Sequence, residues 1–211
     1  MLIYLHGFAS SPASHKAQFF RARLAEAGVA LAIPELAPDF THMTMSSMLA
    51  IVEAGLAGDD VVLLGSSLGG YLATLVAARH PERVRGLVLF APAFGFARRW
   101  EERIGAQALA RWRARGTAPC FHYGLGRELP LDIALLDDAG TYPEEPDPPA
   151  PALVFAGRRD DAVPLAAITP FSTRRPGREL VVLDAGHELT EVLEPMWERT
   201  AAFLARLGVL A

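Results

Sequence analysis

A serine, an aspartate and a histidine that together can cleave an acyl bond occur along this chain in that order. Ser67 stands at the centre of a Gly-x-Ser-x-Gly pentapeptide, and Asp160 and His187 follow it at wide spacings. A serine hydroxyl is a weak nucleophile until a base removes its proton, and that base is usually a histidine oriented by a carboxylate. The three residue types therefore predict nucleophilic catalysis by serine.

The segments on either side of Ser67 predict how the chain positions it. An apolar run of strand type, residues 61–64, precedes the pentapeptide, and an apolar segment of helical character begins at Tyr71. In this setting the pentapeptide is typical of a nucleophile elbow, a turn that strains the serine backbone. Such a turn needs residues with almost no side chain two positions before and after the serine, and Gly65 and Gly69 meet that need. The alternative is a glycine-rich turn with a surface serine.

The position of each histidine relative to the predicted strands selects the base. Only His187 directly follows the last strand-type run, so it is placed at the same sheet edge as Ser67. Of the five others, His15 and His80 lie on predicted helices, and His42 lies in a loop without an adjoining strand. His122 lies in the segment after residue 92, and His6 stands beside the first glycine. We expect His6 to brace the loop that contains it.

Two adjacent aspartates compete for the role of the acid. Asp160 is favoured, and Asp161 would then point elsewhere and cap the short helix that follows. Asp184 and Glu188 are weaker candidates, because closeness in sequence does not orient a side chain toward the ring of His187.

An oxyanion formed by serine attack needs N–H donors, and two backbone groups are candidates. The first is the N–H of Leu68, the residue after the nucleophile, at the start of the helix. The second is the N–H of Phe8 in the loop after the first strand, where Gly7 allows close approach of the backbone. Ser10 and Ser11 in the same loop could also donate hydrogen bonds, but turn chemistry explains them equally well.

Strand-type runs alternate with helical segments along most of the chain. Predicted strands cover residues 2–6, 31–36, 61–64, 84–90, 152–156 and 180–184, and predicted helices cover residues 14–27, 45–56, 71–80 and the C-terminal segment. This alternation is typical of a mostly parallel, doubly wound α/β sheet of about six strands, with helices on both faces.

Between residues 93 and 150 the alternation stops. We predict a helix over residues 96–115, an extended piece over 120–124, a second small helix over 129–136 and a proline- and acid-rich linker over 142–149. We interpret the whole segment as a small helical cap, inserted over the sheet edge where ligands bind in open α/β folds. The alternative is a long excursion packed on the sheet. The chain, residues 1–211, is predicted to be a single domain.

Composition narrows the class of protein. Half of the 211 residues are hydrophobic and the net charge is −4, which indicates a globular protein and argues against nucleic acid as a partner. The longest apolar runs have strand length, so no membrane insertion is expected. The chain starts without the pattern of a signal peptide, and its single cysteine, Cys120, excludes an internal disulfide; both favour the cytoplasm. No histidine–cysteine cluster has metal-ligand spacing.

This chain resembles the small bacterial YqiA-type esterases of the α/β-hydrolase superfamily in residues 5–12, 14–17 and 65–71. The similarity is strong over about the first ninety residues. Residues 157–164 follow the superfamily pattern Gly-x-x-Asp-x-x-Val-Pro, which places Asp160 at the position of the acid, and residues 186–187 match as a Gly-His pair. Between residues 94 and 151 the similarity is low and arginine is abundant.

The resemblance implies an α/β-hydrolase fold and hydrolysis of carboxylic esters or thioesters without a cofactor. The predicted function is a serine hydrolase that cleaves a small-molecule acyl ester through an acyl-enzyme intermediate. In it Ser67, Asp160 and His187 are catalytic, and Phe8 and Leu68 form the oxyanion hole.

Two other functions remain open. An acyl-CoA thioesterase or acyltransferase would use the same residues, and Arg98, Arg99, Arg158 and Arg159 could favour an anionic substrate, although surface charge also explains them. Some proteins of this fold bind ligands without turnover, but they usually lack one of the three catalytic residues, and this chain has all three.

Overall fold

Apart from one hairpin, strands and helices alternate along residues 1–56, 58 and 60–210, the part of the chain that the computed structural model describes. The strands are β1 Leu2–Leu5, β2 Leu31–Ala32, β3 Val61–Ser66, β4 Val84–Phe90, β5 Thr117–His122, β6 Arg127–Asp132, β7 Ala152–Gly157 and β8 Arg178–Leu183. The α-helices are α1 His15–Glu26, α2 Met45–Ala54, α3 Leu68–Arg79, α4 Phe96–Arg115, α5 Ala134–Ala139, α6 Leu165–Arg174 and α7 Leu193–Arg206. No helix in this part of the chain is both long enough and apolar enough to cross a lipid bilayer.

Six strands form one parallel sheet in the order β2-β1-β3-β4-β7-β8. Side chains of β3 alternate between two apolar cores: Leu63 packs on the side of α2, α3 and α6, and Leu64 packs on the side of α1 and α7. Because the sheet is covered on both faces, its central strands read as continuous apolar runs. The predicted doubly wound α/β architecture is confirmed.

The second strand is shorter than the predicted residues 31–36. β2 contains only Leu31 and Ala32. Pro34 has no N–H with which to continue the ladder, and the N–H of Leu36 donates instead to Nε2 of His6 at 3.2 Å. The chain therefore leaves the sheet edge early and runs across the end of β1.

The predicted helix over residues 129–136 is wrong in its first half. β5 and β6 form an antiparallel hairpin that is separate from the main sheet, and α5 begins only at Ala134. The hairpin is attached to α4, because Nε1 of Trp112 donates to the carbonyl oxygen of Leu131 at 2.9 Å. The helix then starts where Asp132 Oδ1 accepts the N–H of Ala134. An alternating pattern of two leucines, Leu129 and Leu131, was the available sign of a strand.

The hairpin reaches the loop that follows β1. The N–H of Tyr123, at the turn of the hairpin, donates to the carbonyl oxygen of Ala9 at 2.9 Å, and the N–H of Asp132 donates to Thr41 at 2.9 Å. The predicted helix over residues 96–115 is present as α4, with a break at Gly105 where φ is 76°. The segment between β4 and β7 thus contacts the carboxyl edge of the parallel sheet.

Candidate active site

Ser67 lies in the sharp turn between β3 and α3. Its backbone has φ 52° and ψ −115°, a conformation that residues with a side chain rarely adopt. The turn is held by hydrogen bonds from both sides: the N–H of Ser67 donates to Phe90 at 2.8 Å, and its carbonyl oxygen accepts from Ala93 at 3.0 Å. The strained conformation presents the side chain at the end of the strand, beyond the sheet.

The two glycines of the pentapeptide are required by close backbone contacts. A Cβ atom on Gly65 would lie 2.4 Å from the carbonyl oxygen of Gly69, and a Cβ atom on Gly69 would lie 2.1 Å from the carbonyl oxygen of Leu5. Both distances are far shorter than van der Waals contact. The strand, the helix and β1 can approach one another this closely only because neither position carries a side chain, which agrees with the sequence argument.

The structure brings the predicted nucleophile, base and acid into one hydrogen-bonded row. Nε2 of His187 lies 3.0 Å from Oγ of Ser67, and Nδ1 lies 2.8 Å from Oδ2 of Asp160. Both contacts are satisfied when the serine hydroxyl donates to Nε2 and the Nδ1 proton is donated to the carboxylate. That tautomer leaves the lone pair of Nε2 directed at the serine hydroxyl, as a general base requires.

Asp160, and not Asp161, meets the histidine. The Asp160 side chain is fully buried, and its Oδ1 accepts the N–H groups of Ala162 at 2.9 Å and Val163 at 2.7 Å. These two bonds direct the other oxygen toward the ring. Asp161 is exposed, and the helix cap predicted for it is not formed, since α6 starts at Leu165 after Pro164.

The two weaker acid candidates lie elsewhere. Asp184 is exposed and pairs with Arg159, whose Nε is 3.0 Å from Oδ1. Glu188 is also exposed.

The two predicted oxyanion donors lie beside Ser67. A Cβ atom on Gly7 would be 3.6 Å from the Cβ of Ser67, so the loop after β1 lies against the elbow. The N–H groups of Phe8 and Leu68 donate to no acceptor in the described part of the chain. Because Leu68 is the first residue of α3, the helix dipole also favours negative charge at this point. Both donors are thus available to an oxygen atom bound at the elbow.

His6 braces the loop that contains Phe8. Its Nδ1 lies 3.0 Å from the carbonyl oxygen of Gly7, and its Nε2 accepts the N–H of Leu36. Burial lowers the pKa of His6, although Glu35 opposes the shift. The neutral ring with a proton on Nδ1 satisfies both backbone contacts. In the same loop Ser11 Oγ accepts the N–H of Ala13, a turn contact.

An aromatic cluster made of Phe8, Phe40, Phe96 and Trp100 surrounds the side chain that follows Gly7. The ring of Phe8 lies 4.7 Å from Trp100, 5.7 Å from Phe40 and 6.4 Å from Phe96, measured between centroids. Three separate chain segments supply these rings, so their spacing in the sequence carries no signal of the cluster. It provides an apolar surface next to the backbone donors.

Lys16 is a further residue at the elbow that the sequence argument did not single out. Its side chain is buried, and Nζ donates to Oγ of Ser66 at 3.0 Å. In the described residues no group of three or more His, Cys, Asp and Glu side chains is arranged to hold a metal ion.

Comparison with known proteins gives a family and a fold. The model of an uncharacterised protein family, UPF0227, matches residues 1–205. Similar solved structures include α/β hydrolase domain-containing protein 10 from mouse, with a TM-score of 0.81 and 17% identity over 98% of this chain and 90% of that one. A hydrolase structure from Agrobacterium vitis has a TM-score of 0.80 and 22% identity over 95% of this chain and 86% of that one. Est1E from Butyrivibrio proteoclasticus, with ferulic acid bound, has a TM-score of 0.81 and 23% identity over 97% of this chain and 88% of that one. These similarities show the α/β-hydrolase fold.

Proposed function

This chain belongs to the uncharacterised protein family UPF0227, and we propose that it is a serine hydrolase that cleaves carboxylic esters through an acyl-enzyme intermediate. The proposal rests above all on the hydrogen-bonded row of Ser67, His187 and Asp160 at a strained elbow. Such a row combines an activated nucleophile with a base held in one tautomer.

In the proposed mechanism Ser67 Oγ attacks the acyl carbonyl carbon while Nε2 of His187 takes the hydroxyl proton. The carbonyl oxygen becomes an oxyanion, which the N–H groups of Phe8 and Leu68 stabilise. The imidazolium of His187 then protonates the leaving alcohol as the ester bond breaks. Water, deprotonated by the same nitrogen, attacks the acyl-enzyme, and the acid leaves as His187 gives that proton back to Ser67 Oγ. Asp160 keeps the proton on Nδ1 and stabilises the imidazolium in both steps.

We further propose that residues 93–150 act as a cap over this site within a single domain. The hydrogen bond from Tyr123 to Ala9 and the contact of Trp100 with Phe8 support this role, since both join the segment to the loop of the oxyanion donor. The predicted domain, residues 1–211, includes residues 57, 59 and 211, which lie outside the described residues. The aromatic cluster is then the surface that contacts the apolar part of a small acyl ester.

A panel of p-nitrophenyl esters of increasing acyl length tests the reaction. We expect hydrolysis at all short lengths, with the highest kcat/KM for short to medium chains, because the apolar surface beside Phe8 is limited to four rings. A fluorophosphonate probe is expected to label the protein once. Failure to hydrolyse any ester in the panel, together with absence of labelling, would refute the proposal. Labelling without hydrolysis would favour the alternative of a ligand-binding protein.

A second candidate function is hydrolysis of an anionic substrate such as an acyl-CoA thioester, and Arg99 is the observation that favours it. Of the four arginines that the sequence singled out, Arg98 pairs with Glu144 and Arg159 with Asp184. Arg158 is exposed. Arg99 is half-buried, and its Nη1 makes one long contact of 3.4 Å with the carbonyl oxygen of Phe94.

The charge of Arg99 is available to a ligand near the triad. Burial lowers the pKa of Arg99, and the negative charge of Asp160 opposes this shift. Asp160 itself is already bonded to His187, Ala162 and Val163. In the described part of the chain Arg99 forms no ion pair with a carboxylate. Its remaining N–H groups therefore fit a carboxylate or phosphate of the substrate.

Matched esters test this candidate. Replacing Arg99 with methionine is expected to lower kcat/KM for an anionic ester, such as 4-carboxyphenyl butyrate or p-nitrophenyl hydrogen succinate, by about 10- to 100-fold. The neutral counterparts, 4-(methoxycarbonyl)phenyl butyrate and p-nitrophenyl butyrate, should change less than about twofold. 4-Carboxyphenyl butyrate carries its charge on the alcohol, and p-nitrophenyl hydrogen succinate carries its charge on the acyl group. The ester that loses activity therefore shows which part of the substrate Arg99 binds.

Arg111→Met, an exposed position on the same helix, is the matched control for loss of one positive charge. Equal losses for neutral and anionic esters in Arg99→Met would mean that Arg99 has only a structural role.

The cytoplasm is proposed as the location, since a single cysteine fits a reducing compartment.

A further inference from the structure

Lys16 is the only lysine among the 20 lysine and arginine residues of the chain, and it is buried, with 6% of its surface exposed. A guanidinium carries five N–H donors in a planar fork, whereas an ammonium is a compact charge on a thin stem. One hydroxyl acceptor in a buried site cannot satisfy the larger group. In a chain that otherwise uses arginine, this position therefore requires the smaller cation.

The surroundings of Lys16 connect it to the nucleophile from two sides. Nζ donates to Oγ of Ser66, the residue before Ser67, at 3.0 Å, and lies 5.6 Å from the ring centroid of Phe90. The carbonyl oxygen of Phe90 accepts the N–H of Ser67 at 2.8 Å. Lys16 thus binds the residue before Ser67 and lies close to the ring of Phe90, one of the two residues that hold the strained backbone of Ser67.

No carboxylate in the described part of the chain forms an ion pair with the ammonium. The titratable groups that face Lys16 or its acceptor come from β1, from the loop after β7 and from the segment after β8; they are Tyr4, Asp160, Glu188 and Glu191. The three carboxylates attract the ammonium from beyond contact distance, and two of them, Glu188 and Glu191, follow His187 within four residues of the chain. The charge of Lys16 therefore acts between the elbow and the segment that carries the base.

Stability does not account for a lysine at this place. Removing an ammonium from water is costly unless a carboxylate or several acceptors replace the lost hydration. Burial lowers the pKa of Lys16 to about 8, against the attraction of Glu188, Asp160 and Glu191. A methionine of similar length would fill the space without that cost, so the charge is retained for another reason.

We propose that Lys16 is a positioning residue for the nucleophile, and that its protonated ammonium, hydrogen-bonded to Ser66, holds the elbow in the conformation that turnover requires. The inference rests on the proposed function of Ser67. When Lys16 loses its proton, the charge-assisted hydrogen bond to Ser66 becomes a weaker neutral one, and the attraction to Asp160 and Glu188 disappears. Activity should then fall on the alkaline side.

The activity test compares kcat for p-nitrophenyl butyrate from pH 6 to pH 10 in the protein and its variants. The unmodified protein is expected to lose activity with a midpoint near pH 8. Lys16→Met should lower kcat at pH 7 by about 10- to 50-fold, leave KM within about twofold and remove the alkaline limb. Ser66→Ala should have a similar effect, and the double variant should cost little more than either single one. Arg21→Met, which removes an exposed charge from the same helix, is the control.

Two measurements without substrate separate positioning from a structural role. Lysine labelled with ¹³C at the ε position gives a single lysine signal in this chain, and its titration midpoint is expected near pH 8. Lys16→Met should melt about 5 °C above the unmodified protein at pH 7. Between pH 8 and 10.5 Lys16 keeps its proton in the unfolded chain but loses it in the folded protein. The stability of the unmodified protein therefore rises with pH across that interval, and the difference in melting temperature between Lys16→Met and the unmodified protein shrinks.

A lower kcat in a more stable variant supports the inference, since a purely structural lysine would lower both together. Unchanged kcat and an unchanged alkaline limb in Lys16→Met would overturn it, as would parallel losses of stability and activity. If hydrolysis by the unmodified protein does not depend on Ser67, the proposed function itself fails and this inference fails with it. If hydrolysis depends on Ser67 but not on Lys16, only this inference fails.

Discussion

Replacing Ser67 with alanine is expected to lower kcat for p-nitrophenyl esters by about 10⁵- to 10⁶-fold and to abolish labelling by a fluorophosphonate probe. The alanine keeps the backbone of the elbow and the N–H groups of Phe8 and Leu68, but no oxygen remains to attack the carbonyl carbon. KM should therefore change little while kcat collapses. Steady-state hydrolysis and intact-mass analysis after probe treatment measure both effects.

A second variant at this position uses the strain of the elbow. Ser67→Gly removes the same oxygen but accepts φ 52° and ψ −115° without steric cost. We expect it to be as inactive as Ser67→Ala and about 1 kcal/mol more stable toward urea, since relief of strain exceeds the added entropy of the unfolded chain. Ser14→Ala is the control, because the Ser14 side chain makes no capping hydrogen bond.

Residual activity of one hundredth or more in Ser67→Ala would point to a different nucleophile.

Replacing Asp160 with asparagine is expected to lower kcat by about 10³- to 10⁴-fold. The N–H groups of Ala162 and Val163 already bind Oδ1, so the amide oxygen of asparagine takes that place and its NH₂ group faces His187. An NH₂ group can only donate to Nδ1, which moves the ring proton to Nε2. The histidine then has no lone pair for the hydroxyl of Ser67.

Asp161→Asn is the matched control for this variant, since it makes the same change of charge one residue further on. Asp161 is exposed, so we expect less than about a twofold change in kcat. The pH dependence of kcat/KM for both variants should be measured beside the unmodified protein. A larger loss in Asp161→Asn than in Asp160→Asn would show that the acid is assigned to the wrong residue.

Five of the six strands of the main sheet were predictable because each carries a local signal. β4 and β7 are short apolar runs bounded by turn residues, and their limits agree with the prediction within one residue. β2 and β6 were not predicted correctly, because their ends depend on partners far away in sequence. His6 accepts the N–H of Leu36, which lies beyond the end of β2, and Trp112 of α4 donates to Leu131 of β6. Local periodicity contains neither contact.

The amino-acid sequence by itself determined the alternation of strands and helices in the main sheet and the three residues that follow its strands. It did so because a strand, a glycine-bounded turn and a helix are encoded within a few neighbouring residues. It also placed Ser67, Asp160 and His187 at one sheet edge, since parallel strands with right-handed connections end on the same side.

The tertiary structure alone decided which atoms meet. Ser67 and His187 are 120 residues apart, Lys16 and Ser66 are 50 apart, and Asp160 and His187 are 27 apart. The sequence already favoured Asp160 over Asp161, and the structure adds the two backbone N–H groups that turn its carboxylate inward. The burial of Lys16 beneath the elbow came from packing α1 on the sheet. Such contacts depend on side-chain directions in the folded chain, which no local pattern of residues specifies.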